Sequence, residues 1–253
     1  MSKAGLKTGA IGFVDALGFK GIWQREDVRS DPMAVVRKLL SITRQVPGYI
    51  GSGQARRQVS VAFLSDTVVI GVSEGIAEFA KLDGVSAPGI AILGAALLTQ
   101  WVTRKMAEQP APLSVRGCIT SGKYAIVDRF VMGPAVDEAA MNAGIAEAAV
   151  VWLTPRAVKA VAPSSHRSAL VPWGVPIKGG GRFKTLCVSP FEAPEAAAST
   201  EGDRAQFKAR LLATFDSDRV EVAMKRQETA QFLEVAERHH LANARKSAKK
   251  AGE

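Results

Sequence analysis

Short runs rich in Val, Ile, Leu and Phe, bounded by Gly, Asp and Ser, predict strands over residues 10–15, 59–63, 67–72, 113–120, 124–127, 150–153 and 184–188. Between them, residues 32–44, 88–108, 134–149 and 155–162 each open on or near a proline and carry Ala or Leu inside, the asymmetry expected of helices. Runs 59–63 and 67–72 lie three residues apart. A gap that short allows only an antiparallel hairpin, with Ser65 and Asp66 at its tip. The order of elements is mixed α and β, and the sheet is mixed or antiparallel. A segment rich in Ala, Pro, Glu and Ser, 193–202, is read as a linker. It leads into residues 203–253, where Phe207, Leu211 and Phe215 recur at helical spacing. The expected organisation is one domain over 1–192, the linker, and a C-terminal helical tail. No repeat of fixed period is visible.

Composition narrows the class. The chain has 253 residues, 47% hydrophobic and 23% charged, enough to bury a core without staples. Its two cysteines, Cys118 and Cys187, sit inside apolar runs and read as reduced core thiols, which favours the cytoplasm. Residues 1–8 hold no apolar secretory stretch, and the longest apolar run, 85–98, is shorter than the roughly 20 residues that span a bilayer. No membrane partner is expected. A net charge of +9 suits an anionic ligand without choosing one. Arg245, Lys246, Lys249 and Lys250 supply part of it and read as a solvated helix end.

Three segments carry candidate chemistry. In Gly12-Phe13-Val14-Asp15-Ala16-Leu17-Gly18-Phe19-Lys20 a strand ends on an acid and the chain turns at Gly18. An acid at a strand end can ligate a hard cation, and free N–H groups at the Gly18-Phe19-Lys20 turn can face phosphate oxygens. The plain alternative is an Asp capping a turn. In Ala62-Phe63-Leu64-Ser65-Asp66-Thr67-Val68 a second acid occupies a hairpin tip. Two acids at the ends of strands able to lie side by side form the arrangement that binds two Mg²⁺ or Mn²⁺ ions for phosphoryl transfer. In Ile177-Lys178-Gly179-Gly180-Gly181-Arg182 three glycines bring basic residues close to the backbone, although a flexible hairpin explains the same letters.

These segments, together with Arg116-Gly117-Cys118-Ile119-Thr120-Ser121-Gly122, Gly133-Pro134-Ala135 and Lys184-Thr185, resemble the class III nucleotidyl cyclase domain in order, over residues 9–188. The wording Phe63-Leu64-Ser65-Asp66-Thr67-Val68 and Arg116-Gly117 with Gly122-Lys123 is most similar to the pyrimidine cyclases of bacterial Pycsar antiphage systems. The resemblance implies an α/β sandwich with a largely antiparallel sheet, helices on one face, and a homodimer with composite active sites. It also implies two divalent metal ions held by Asp15, Asp66 and the backbone of Ala16. Asp15, Asp66 and Lys178 are the implied catalytic residues, and Gly18, Phe19, Lys20, Tyr49, Arg116 and Lys178 the implied substrate-binding ones. The substrate becomes UTP or CTP, UTP favoured, and the product a cyclic nucleotide that serves antiphage signalling.

The chain departs from the family at places that matter. Where purine cyclases carry base-reading residues it has Ala62 and Phe130, and where they carry a transition-state Asn and Arg it has Asp137 and Met141. Tyr49 is then the expected base reader, though a Tyr of this kind also serves as core. Arg116 is expected either to meet the triphosphate or to pair with an acid such as Asp128 or Glu138. His166, His239 and His240 form no zinc-type pattern with the cysteines, so no zinc is assigned. A cyclase-like module that binds nucleotide without turning it over explains Asp137 and Met141. A nucleic-acid binder explains the charge but lacks the clustered aromatic and basic surface of an RNA-recognition motif.

Overall fold

The computed structural model describes residues 5–19, 22, 31–80, 82–128, 130–161, 169–191, 200–215 and 219–251. In chain order the elements are β1 (Lys7–Leu17), α1 (Pro32–Tyr49), α2 (Gly53–Arg57), β2 (Val59–Leu64), β3 (Thr67–Ser73), α3 (Ala87–Ala107), β4 (Ser114–Val127), β5 (Phe130–Met132), α4 (Pro134–Ala143), β6 (Val151–Leu153), α5 (Pro155–Val161), β7 (Leu170–Pro176), β8 (Arg182–Val188), α6 (Glu201–Ala213) and α7 (Val220–Ala251). The sheet runs β2-β3-β1-β4-β6-β8-β7, with β5 paired to β4. Every pairing is antiparallel except β4 with β6. The fold is thus mixed α/β around a largely antiparallel sheet, as the sequence predicts.

Strand periodicity sorts the side chains of β1 onto two faces. Ala10, Val14 and Ala16 join one core with Val35 and Leu39 of α1, Ile92 and Leu98 of α3, and Ala157 of α5. Ile11 and Phe13 face the other, with Ala135 and Ala139 of α4, Leu211 of α6 and Phe232, Leu233 and Ala236 of α7. Helices therefore cover both faces, not one. The physical reason lies in α7: Thr229, Phe232, Leu233, Ala236 and His240 recur at helical spacing and are buried, so the last helix packs on the sheet rather than trailing from it.

Local chemistry explains where the helices start. Asp31 caps α1 by accepting from the Ala34 N–H at 3.1 Å, with Pro32 next. Ser86 caps α3 in the same way. Thr200 and Asp203 form a reciprocal capping box at α6. The apolar run expected around 85–98 is the buried first half of α3. Among the described residues no helix is long and apolar enough to cross a membrane.

Some boundaries differ from expectation. The two strands read at 113–120 and 124–127 are one, β4, kept continuous by pairing with β1 as far as Lys7 with Tyr124. Helix α4 stops at Ala143 with Gly144 at its end, six residues before the expected 149. Strand β7, with Pro172 and Pro176, was hidden because proline argues against a strand; it is tolerated here because β7 is the sheet edge. Cys118 and Cys187 are both buried and free, and burial pushes both thiols up.

Candidate active site

The site grows from the end of β1. Asp15 lies on the face shared by Phe13, and its neighbours in the ladder are Thr67 of β3 and Arg116 of β4. Thr67 donates its hydroxyl to Asp15 Oδ1 at 3.4 Å. Arg116 approaches Asp15 Oδ2 through Nε and a terminal nitrogen, each at 3.4 Å. One residue further on, the Ala16 N–H donates to the carbonyl of Asp66 at 2.9 Å. That bond fixes the β2–β3 tip against the end of β1, and so brings the two acid-bearing positions together. The tip turns through Ser65, whose φ of 60° lies in the left-handed region and strains a residue with a Cβ.

Electrostatics reflects the crowding. The Asp15 carboxyl is held above its ordinary value of 3.8, first because burial penalises its charge and next because Asp66 adds a like one. Arg116 and Thr67 pull the other way without cancelling this. Close approach of the strands is also built in. A Cβ at Gly117 would stand 1.8 Å from the Phe13 carbonyl, so β4 reaches its place beside β1 only with glycine after Arg116.

Beyond Asp15 the chain turns at Gly18, whose φ of +79° suits glycine. Its neighbour is the end of α6: a Cβ at Gly18 would lie 3.8 Å from the Thr214 carbonyl. Thr214 in turn donates to Ser114 at 2.8 Å, and Ser114, which pairs with Leu17, donates to the Leu211 carbonyl at 2.8 Å. Nothing in the sequence pattern signalled this contact between the turn and α6. Phe19 packs partly buried on the first core. Lys20 and His166 lie outside the described residues.

Other expected residues are placed elsewhere. Lys178 sits in the β7–β8 turn, where its N–H donates to the Ile145 carbonyl at 2.9 Å, and among the described residues no hydrogen bond or ion pair joins it to Asp15 or Asp66. Tyr49, half exposed, stacks on Trp101 of α3 with ring centroids 5.5 Å apart. That places it in the helical layer of the first core, with the sheet between it and the face carrying Asp15. Within one chain it is not brought to the acids. Arg116 does pair with an acid, but the partner is Asp15 rather than Asp128 or Glu138; Glu138 pairs with Arg156 instead. Asp137 and Met141 are both exposed on α4. Thr67, quoted in the motif without a role, is the residue the sequence reading passed over.

A divalent ion fits this donor set. Among the described residues no three His, Cys, Asp or Glu side chains gather as a metal cluster. Hard cations such as Mg²⁺ need less: one or two carboxylates plus phosphate oxygens and water complete their shell. Asp15 and Asp66, close enough to repel each other, are the carboxylates that would hold such an ion.

No family model matches the chain, and no curated protein does. Solved structures do match. The chain is similar to the catalytic core of a rhodopsin-guanylyl cyclase with converted specificity, in complex with ATPαS, at 13% identity and a TM-score of 0.46 over 72% of this chain and 96% of that one. It is similar to the non-canonical dimeric guanylyl cyclase domain of the RhoGC fusion protein from the aquatic fungus Blastocladiella emersonii, at 16% identity and a TM-score of 0.49 over 72% and 96%. It is similar to the adenylyl cyclase CyaB from P. aeruginosa, at 14% identity and a TM-score of 0.43 over 73% and 94%.

Proposed function

We propose that the chain is a metal-dependent nucleotidyl cyclase that converts UTP, in preference to CTP, to the 3′,5′-cyclic nucleotide and pyrophosphate. One observation carries the reading: the Ala16–Asp66 backbone bond clasps two acid-bearing strand ends together, next to the Gly18 turn. Asp15 and Asp66, with the backbone at Ala16, hold the divalent ions. When bound, such ions polarise phosphate oxygens and lower the pKa of the ribose 3′-hydroxyl. The backbone N–H groups of Gly18 and Phe19 donate to the phosphates, and Lys178 neutralises the charge growing on the leaving pyrophosphate. In the homodimer that the cyclase resemblance implies, this role belongs to the Lys178 of a second copy.

The pyrimidine preference rests on what the base-reading positions offer. Ala62 is buried and apolar, and Phe130 is exposed and apolar, so neither side chain can hydrogen-bond a purine edge. In this reading Tyr49, which lies across the sheet from the acids of its own chain, reads the base from the partner copy. The buried, unpaired thiols suit a reducing cytoplasm, and the product would act as a second messenger in antiphage defence. A second reading, a nucleotide-binding module without turnover, is favoured by Asp137 and Met141 standing exposed at the transition-state positions.

Incubation of the purified protein with each of the four ribonucleoside triphosphates and Mn²⁺ separates these readings. Cyclic UMP or cyclic CMP with matching pyrophosphate supports the cyclase. Binding without product supports the module, and a purine cyclic product alone overturns the base assignment.

A further inference from the structure

Arg116 is the charged partner of Asp15 in this structure. Its guanidinium lies 3.4 Å from Asp15 Oδ2 through two of its nitrogens, while the other oxygen, Oδ1, is approached by Thr67. The terminal nitrogen that meets Asp15 also faces the loop after α4, where a Cβ at Gly144 would stand 3.9 Å from it. The pair is also looser than a tight N⁺–H···O⁻ bond of about 2.7–2.9 Å. The two side chains are only 17% and 22% exposed, so bulk salt screens their charges weakly.

A divalent cation on Asp15 and a guanidinium on the same carboxylate would be like charges a few ångströms apart in a partly dried site. They compete for one acid. We infer that Arg116 is the internal counter-ion of Asp15, which a divalent cation displaces on binding. The inference rests on the reading of Asp15 and Asp66 as metal ligands. Arg116 is thus a positioning residue: it neutralises Asp15 in the empty site and sets how tightly a cation binds there.

The test is Mn²⁺ binding to the full chain without nucleotide, read from the electron paramagnetic resonance signal of free Mn²⁺ at mildly alkaline pH. Arg116→Gln removes the competing charge and should tighten Mn²⁺ by about ten-fold. Arg116→Lys keeps the charge and should stay within about two-fold of wild type on the same argument. A merely structural role predicts weaker binding in both. Arg116→Met, which keeps the aliphatic stem, repeats the neutral arm should the Gln variant fail to fold. A neutral variant that is folded yet binds Mn²⁺ no more tightly than wild type overturns the inference. If Asp66→Asn still abolishes Mn²⁺ binding in that case, the acid-pair reading survives alone. If wild type takes up no Mn²⁺, or Asp66→Asn binds it as well as wild type, both fall together.

Discussion

The Ala16 N–H donates to the Asp66 carbonyl at 2.9 Å, so the backbone, not the carboxylates, holds the two acid-bearing strand ends together. Removing either acid's charge therefore leaves the clasp in place. Asp66→Asn and Asp15→Asn should keep the wild-type circular dichroism spectrum while cyclase activity with Mn²⁺ and UTP or CTP falls by about two orders of magnitude or more, as expected when several kcal/mol of charge stabilisation are lost. Near-wild-type turnover in either variant would show that the acids do not hold the metal.

Asp15 also ties activity to stability. Its carboxyl is raised above the ordinary 3.8 by burial and by Asp66, so the folded state prefers it protonated. The sign follows from proton linkage: the stability this gives is present below pH 3.8 and is lost as the pH climbs through the raised folded value. At neutral pH the wild type carries a disfavoured charge that Asp15→Asn lacks. The variant should therefore melt at a higher temperature than wild type at neutral pH, and that advantage should vanish below about pH 3.8. Melting curves across pH check this, and an Asn variant that is less stable at neutral pH contradicts it.

The acids were legible because their placement is local. A three-residue gap puts Asp66 at a hairpin tip whatever else the chain does, and the apolar run before Asp15 marks the strand that carries it, although β1 continues two residues further, to Leu17. What was not legible is long-range. Strand β1 is paired on both sides, and only its register with β4 sets Arg116 against Asp15, 101 residues away in sequence. The acids nearer in sequence, Asp128 and Glu138, looked the better partners for that reason. Strand β7 was masked by prolines that only an edge position excuses; the C-terminal helix was expected, but charges on its solvent side hid the buried series from Thr229 to His240 that packs it on the sheet. The contact between Gly18 and Thr214 joins the first strand to the C-terminal helices, a relation that no local pattern encodes.

Tyr49 separates packing from recognition. Its ring stacks on Trp101 at 5.5 Å, whereas its hydroxyl is the only part able to tell one pyrimidine edge from another. Tyr49→Phe keeps the ring, so the melting temperature should stay close to wild type while the ratio of cyclic UMP to cyclic CMP changes. Tyr49→Ala should lose about 1 kcal/mol of stability from the aromatic pair. An unchanged product ratio in the Phe variant would leave Tyr49 a packing residue only.

The composite site is tested by mixing two defective proteins. If Asp15 and Asp66 of one copy work with Lys178 of the other, a symmetric homodimer holds two equivalent sites, and Asp66→Asn or Lys178→Ala homodimers are damaged at both. A heterodimer of the two variants differs. One of its sites takes the mutated Asp66 and the mutated Lys178 together, while the other is built from wild-type Asp66 and wild-type Lys178. Free exchange of equal amounts makes about half of the dimers mixed, each with one intact site, so activity should recover to roughly a quarter of wild type. Co-expression with two different affinity tags confirms that heterodimers form. A site built within one chain predicts no such recovery, because every protomer then carries a lesion in its own site. A mixture no more active than the better single variant would therefore place Lys178 and the acids in the same chain, or remove Lys178 from the chemistry.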